Sequence, residues 1–303
     1  MNPKAVGAQV ARGFVMGAAD IVPGVSGGTV ALVLGIYERL IEVVHDGARL
    51  LATALRGDLA GVRDRLKAFD WMFIIPLGVG ILVAFGALSG LIDAALEDHA
   101  EAMAGLFFGL VIASIVIAWR LVQQPDATTL AIAAAVGIVM FVVLGFQSGP
   151  VQDPSLLAFF GAGAVAICAM ILPGISGSFI LLMLGMYAGV IGAVHDRELV
   201  SLIVFMVGAV IGLALFSSLI KRALERIHDL LMAALIGLML GSLRVLWPWP
   251  NGVGIISEEE SEAISGTGLD WPAGDAWLWP TVWAVVAAVA VLAFAHFADA
   301  NED

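Results

Sequence analysis

The chain has 303 residues, 61% of them hydrophobic and 13% charged, with a mean hydropathy of +1.01; soluble domains carry about 25% charged residues, so an ordinary water-soluble globule is excluded. A net charge of −12, from 26 acidic and 14 basic residues, argues against nucleic-acid binding. The single cysteine, Cys168, excludes an internal disulfide and belongs to no metal-binding or thiol-catalysis pattern, and no cofactor is implied.

Taken in chain order, the opening MNPKAVGAQVARG lacks the apolar stretch and cleavage site of a signal peptide and reads as part of the mature protein. The first element, about residues 5–45, cannot be one continuous helix. Pro23 lacks an amide proton, while Gly24, Gly27 and Gly28 permit backbone angles that other residues resist. A break is expected there, with Ser26 and Thr29 capping the helix beyond it. Residues 47–68 place leucines and alanines on one face and Arg49, Arg56, Arg63, Arg65 and Lys67 elsewhere. That is the pattern of a helix lying on a membrane surface, although a plain basic loop fits the same residues. Apolar runs over 71–93, 102–120 and 129–147 have the length needed to cross a hydrocarbon core of ~30 Å. The second half reads alike: a broken segment over about 156–194, then spans 200–220, 230–245 and 277–297, the last preceded by the acidic stretch from Ser257 to Asp275.

The likeness extends to identities. Ile21–Asp46 aligns without gaps on Ile171–Asp196 at an offset of 150, with 13 of 26 residues identical; Val79–Ser114 aligns on Val207–Ser242 at an offset of 128, with 11 of 36 identical. The chain is therefore read as two copies of one unit, 1–150 and 151–303, and the change of offset by 22 locates the 47–68 insert in the first. Bases in short loops mark the cytoplasmic side. Lys4, Arg12 and the five bases of the insert flank the first broken segment on both sides, so it enters and leaves from the cytoplasm. Three spans then carry the chain out, and Lys221, Arg222 and Arg226 bring the second half back in.

The expected fold is an all-α polytopic membrane protein of two inverted-topology repeats, each a re-entrant, broken helical hairpin plus three transmembrane helices. Both termini are expected to be cytoplasmic. If each hairpin were instead two full crossings, each half would have five spans, also an odd number, and the inversion would stand.

Irregular backbone at membrane depth is tolerated only where it faces protein or a polar cavity. Amides freed by the break, together with the positive end of the helix dipole, favour an anion, and broken helices from inverted repeats meeting near the midplane are a plan of secondary transport. The candidate binding set is Pro23, Gly24, Ser26, Gly27, Gly28 and Thr29 with Pro173, Gly174, Ser176, Gly177 and Ser178. The plainer reading is a tight turn with small residues for packing. Asp20 has Met170 as its counterpart, and reads either as the seat of a coupling proton or cation or as a backbone cap. Arg12 suits a phosphate partner or a side chain snorkelling to the interface. Tyr37 and Tyr187 recur in both copies, whereas Glu38 and Arg39 face Ala188 and Gly189 and suit a head group or local ion pairs. His45–Asp46 and His195–Asp196 read as C-terminal caps at the hairpin exits.

At these residues the chain resembles the polyprenyl-phosphate transporter family, also catalogued as domain of unknown function 368, chiefly through GAADIVPGVSGGTVALVLGIYERLI and LPGISGSFILLMLGMY. The resemblance implies a flippase in the cytoplasmic membrane that returns a lipid carrier such as undecaprenyl phosphate to the cytoplasmic leaflet after glycan export. The residues it carries over are Asp20, Pro23, Gly24, Ser26, Gly27, Gly28, Thr29 and Tyr37, with Pro173, Gly174, Ser176, Gly177, Ser178 and Tyr187. The residues alone also allow a channel or secondary carrier for a small soluble anion. They speak against a membrane enzyme, because no metal-ligand cluster or nucleophile–base pair falls in the spans.

Overall fold

The computed structural model describes residues 3–22, 24–146, 150–249 and 269–299; Pro23 and most of the acidic stretch from 257 to 275 lie outside them. Among the described residues are twelve helices and no strand. The first copy holds α1 (Pro3–Asp20), α2 (Gly27–Val33), α3 (Tyr37–Leu55), α4 (Leu59–Ala68), α5 (Trp71–Asp98), α6 (Ala100–Arg120) and α7 (Ala127–Val143). The second holds α8 (Leu156–Ile171), α9 (Gly177–Met183), α10 (Tyr187–His195), α11 (Leu199–Ser242) and α12 (Leu278–Asp299). Four helices, α5, α6, α11 and α12, are long and apolar enough to cross a membrane; α7 and α8 are shorter apolar helices, and α9 and α10 meet at a 110° bend.

The 44-residue α11 is kinked where Ile227 leaves helical geometry, at φ −139° and ψ 44°. One repeat offset upstream, His99 separates α5 from α6 at φ −139° and ψ 43°. The two arms of α11 thus match α5 and α6 in sequence offset and in the geometry of the break between them.

Glycines set the closest helix approaches, and they recur between the copies. Gly13 of α1 packs on the Leu77 carbonyl of α5, and Gly80 of α5 on the Val10 carbonyl. At the corresponding positions Gly163 of α8 packs on the Phe205 carbonyl and Gly208 on the Phe160 carbonyl. Removing a side chain lets backbones approach where lipid supplies no hydrophobic drive for helix pairing. Further along, Gly105 and Gly109 of α6 meet Pro280 and Ala284 of α12, while Gly237 and Gly241 of α11 meet Ala133 and Met140 of α7. One turn on from Gly13 and Gly208, Gly17 meets Ile81 and Gly212 meets Ala164, so along all four helix pairs residue numbers rise together and the paired helices run in the same direction. The last helix of each copy packs on the other copy, which interlocks the two.

The basic insert divides in two. Residues 47–55 continue α3, and a turn at 56–58 leads into α4, whose first turn is capped by Asp58 accepting from the Gly61 N–H at 2.9 Å. One expectation fails here: His45 and Asp46 lie within α3 and cap nothing, because the insert extends the helix past the point where its counterpart stops. His45 Nδ1 instead lies 3.0 Å from Ser218 Oγ of α11. In the second copy α10 does end at His195, with Asp196 as its C-cap residue. Before α7, the Thr129 N–H donates to Asp126 at 2.7 Å while the Asp126 N–H donates to Thr129 Oγ1 at 2.9 Å. The first of these bonds holds the Asp126 carboxyl below the usual carboxylate range.

Candidate functional site

The helix breaks behave as their residues dictate. Gly24 and Gly174 both adopt φ +86°, a left-handed conformation that a side chain resists. Beyond each glycine the chain straightens, with Ser26 and Ser176 at the N-cap positions of α2 and α9 in extended backbone. In the first copy Ser26 Oγ accepts from the Gly28 N–H at 3.0 Å, and the Gly27 N–H donates to Asp20 Oδ1 at 2.5 Å across the break. In the second, Ser176 makes no cap bond, and its Oγ lies 2.8 Å from that of Ser178.

The two breaks touch. The Gly174 N–H donates to Thr29 Oγ1 at 2.8 Å, and the Ser26 hydroxyl donates to the Met170 carbonyl at 3.1 Å. Residues 144 and 145 apart in sequence are thereby hydrogen-bonded, with Ser26 and Thr29 buried at 1% and 0% exposure. At their junction lies a cavity of about 240 Å³ whose polar wall is Asp20, Ser26, Ser176 and Ser178. Its apolar wall comes from α8, α9 and α11, including Met170, Leu181, Phe205 and Ala209. Met170 is 45% exposed, so the wall of the cavity on the α8 side is also part of the outer surface.

Of the residues singled out in the sequence, Asp20, Ser26, Ser176, Gly177 and Ser178 line this cavity. Gly27, Gly28, Thr29 and Gly174 form the backbone and bonds around it, and Pro173 is buried beside them. Gly24 packs under Val245 and Leu246. Pro23 lies outside the described residues. The remaining five stand elsewhere. Arg12 is half-buried on α1 and donates to Gln9 Oε1 at 3.2 Å. Tyr37 is buried in the core with no hydrogen-bond partner for its hydroxyl, while Tyr187 packs beside Phe159 and Met186. Glu38 Oε1 lies 3.2 Å from His228 Nε2, and Arg39 donates to Asp70 at 2.9 and 2.6 Å. Sequence reasoning missed Phe205 and Ala209, since they sit on the apolar first arm of α11, where nothing in the pattern separates a cavity wall from a lipid-facing surface. It also missed Gln9, a buried amide whose one signal was being polar on the packed face of α1.

The family model for undecaprenyl phosphate translocase-like proteins matches residues 16–264, which include both breaks. The chain belongs to this family. Among its relatives, the polyprenyl-phosphate transporter of Vibrio cholerae serotype O1 is 41% identical over 245 residues, covering 78% of this chain and 76% of the relative. The polyprenyl-phosphate transporter of Staphylococcus aureus is 30% identical over 256 residues, covering 79% and 85%. No solved structure matches the chain. As a member of the translocase-like family it is a multi-pass helical membrane protein of transporter type, and the cavity at the breaks is its candidate site.

Proposed function

We propose that the chain translocates a polyprenyl phosphate such as undecaprenyl phosphate across the cytoplasmic membrane, recycling the carrier lipid for cell-envelope glycan synthesis. The observation that carries the reading is the meeting of both Pro-Gly-x-Ser-Gly breaks at one small polar cavity. At about 240 Å³, below the ~300–1,000 Å³ of pockets that engulf whole ligands, it suits a head group and excludes a long prenyl tail. With Met170 on the outer surface, the tail remains in lipid.

The two copies are read as inverted repeats with re-entrant hairpins and cytoplasmic termini. Support comes from helix direction. α1 runs alongside α5 in the same sense, and Arg39, just past α2, bonds to Asp70 at the start of α5; the chain thus enters and leaves the hairpin at one end of α5. Likewise α8 runs with α11, and α10 ends four residues before α11 begins.

Asp20 gives the cycle its charge logic. An ionised carboxylate and a lipid phosphate in one low-dielectric cavity repel strongly, so we assign Asp20 to bind a coupling proton or cation when the phosphate enters. Two measurements in liposomes test these readings. Ser26→Leu and Ser176→Leu each fill the cavity and are expected to abolish translocation of polyprenyl phosphate; wild-type rates in both would sink the assignment. Asp20→Asn keeps an acceptor for Gly27 and removes the charge, and is expected to uncouple translocation from proton and sodium gradients. An unchanged gradient dependence would rule out coupling at Asp20.

A further inference from the structure

The packing of α3 on α11 gathers positive charge at a place the candidate site does not use. His45 and Arg49 stand one turn apart on α3, and Lys221 and Arg222 face them from α11, anchored by the 3.0 Å contact between His45 Nδ1 and Ser218 Oγ. Arg49, Lys221 and Arg222 all lie within electrostatic reach of His45, with Asp46 as the acid that acts on it in the opposite sense. Glu42, Asp46 and Glu225 share these two helices, yet among the described residues none is within 4.0 Å of a basic nitrogen of Arg49, Lys221 or Arg222. Arg49 and Arg222 are exposed and Lys221 is half-buried, so their charges are screened in part by water and salt and stand where an anion from outside the chain can join them.

The same region says which anion. Beyond Arg49, α3 and α4 form a short hairpin whose turn exposes Leu55 and Leu59, each 81% exposed, with Leu51 and Leu66 also outward. Arg56, Arg63, Arg65 and Lys67 accompany these leucines against the acids Asp58 and Asp64. Exposed leucines with basic neighbours bind the interface of an anionic leaflet, where each base contributes attraction to the headgroups. Neither feature is repeated: Asp93 and Ala94 stand at the first copy's equivalents of Lys221 and Arg222, and α10 is nine residues long and passes to α11 without an insert.

We propose that His45, Arg49, Lys221 and Arg222 form a docking site for the phosphate headgroup of an anionic phospholipid, held beside the α3–α4 hairpin as it lies in the same leaflet. The site is separate from the cavity at the breaks and acts on one face of the protein alone. It makes that face the anion-retaining one.

The test follows the unfolding temperature of the full-length protein in neutral detergent during titration with phosphatidylglycerol, phosphatidylcholine or inorganic phosphate. Phosphatidylglycerol is expected to raise it saturably, and the other two are expected to leave it unchanged. Arg49→Gln with Arg222→Gln should move the titration midpoint to higher lipid, roughly fivefold for each base removed. Arg49→Lys with Arg222→Lys should retain the response, and Lys221→Gln alone supplies the test should the double Gln variant fail to fold. Ser176→Leu should keep the response whether or not it translocates, so failure here and failure of the transport reading are distinguishable. An unmoved midpoint in the Gln variants, an equal response to phosphatidylcholine, or a response to inorganic phosphate matching that to phosphatidylglycerol would each overturn the proposal.

Discussion

The two helix breaks share a backbone and differ in what satisfies it. In the first copy, Asp20 reaches across to the Gly27 N–H, Ser26 caps Gly28, and Thr29 still has an acceptor to offer its neighbour. In the second, Met170 stands in place of Asp20, Ser176 turns toward Ser178, and the Gly174 N–H relies on Thr29 from the other copy. Buried amides are nearly always paired, so the first break is closed by its own side chains and lends a bond to the second. The hydroxyls of Ser176 and Ser178 hold no cap and face the cavity. The two turns thus share one geometry, but Asp20 and Ser26 both support the first break and line the cavity, whereas Ser176 lines it without a cap bond.

The glycines at φ +86° give the largest test of this contrast. An alanine at either pays the left-handed penalty of about 1–3 kcal/mol. At Gly174 the new Cβ would also sit 2.7 Å from Met239 Cα, whereas at Gly24 it would meet the Val245 and Leu246 side chains at 3.1 and 3.3 Å. Side chains yield and backbone does not. Gly174→Ala is therefore expected to destabilise by about 4 kcal/mol and Gly24→Ala by about 2 kcal/mol, read from denaturation in detergent. Equal losses would mean that the breaks are supported alike.

The serines give a smaller difference with a clearer split. Ser26→Ala removes a cap and the bond to the Met170 carbonyl, for an expected loss of about 1–2 kcal/mol. Ser176→Ala removes a bond to another hydroxyl and is expected to stay within about 0.5 kcal/mol, while slowing polyprenyl-phosphate translocation. Should Ser176→Ala destabilise as much as Ser26→Ala, the second break would be as closed as the first.

Much of this was legible in the residues. Proline and glycine clusters act through local backbone geometry, so Gly24 and Gly174 announced both breaks, and the offsets of 150 and 128 fixed which positions correspond. The glycine contacts at Gly13 and Gly163 follow the same offsets. What periodicity could not supply was the pairing between copies: nothing in Thr29 or Met170 says that one will meet Gly174 and the other Ser26. Nor could it tell that α3 would run through His45, because the insert's helical pattern joins the hairpin's without a stop signal. Phe205 and Ala209 stayed hidden for a related reason, since the apolar first arm of α11 shows no preferred face.

The weakest expected effect concerns Arg39, which the first copy alone possesses. It donates to Asp70, the residue that also caps α5, and its guanidinium lies 4.7 Å from the Phe73 ring centre. The second copy has Gly189 at the equivalent of Arg39, and Glu198, at the equivalent of Asp70, accepts from Ser201 instead. With Arg39 and Asp70 side chains 55% and 33% exposed, screening limits the pair to less than about 1 kcal/mol. Arg39→Gln should accordingly shift thermal unfolding only slightly and leave translocation intact. Lost translocation at unchanged stability would instead make Arg39 a head-group contact, and the working part of the first copy would then reach beyond its break to the start of α3.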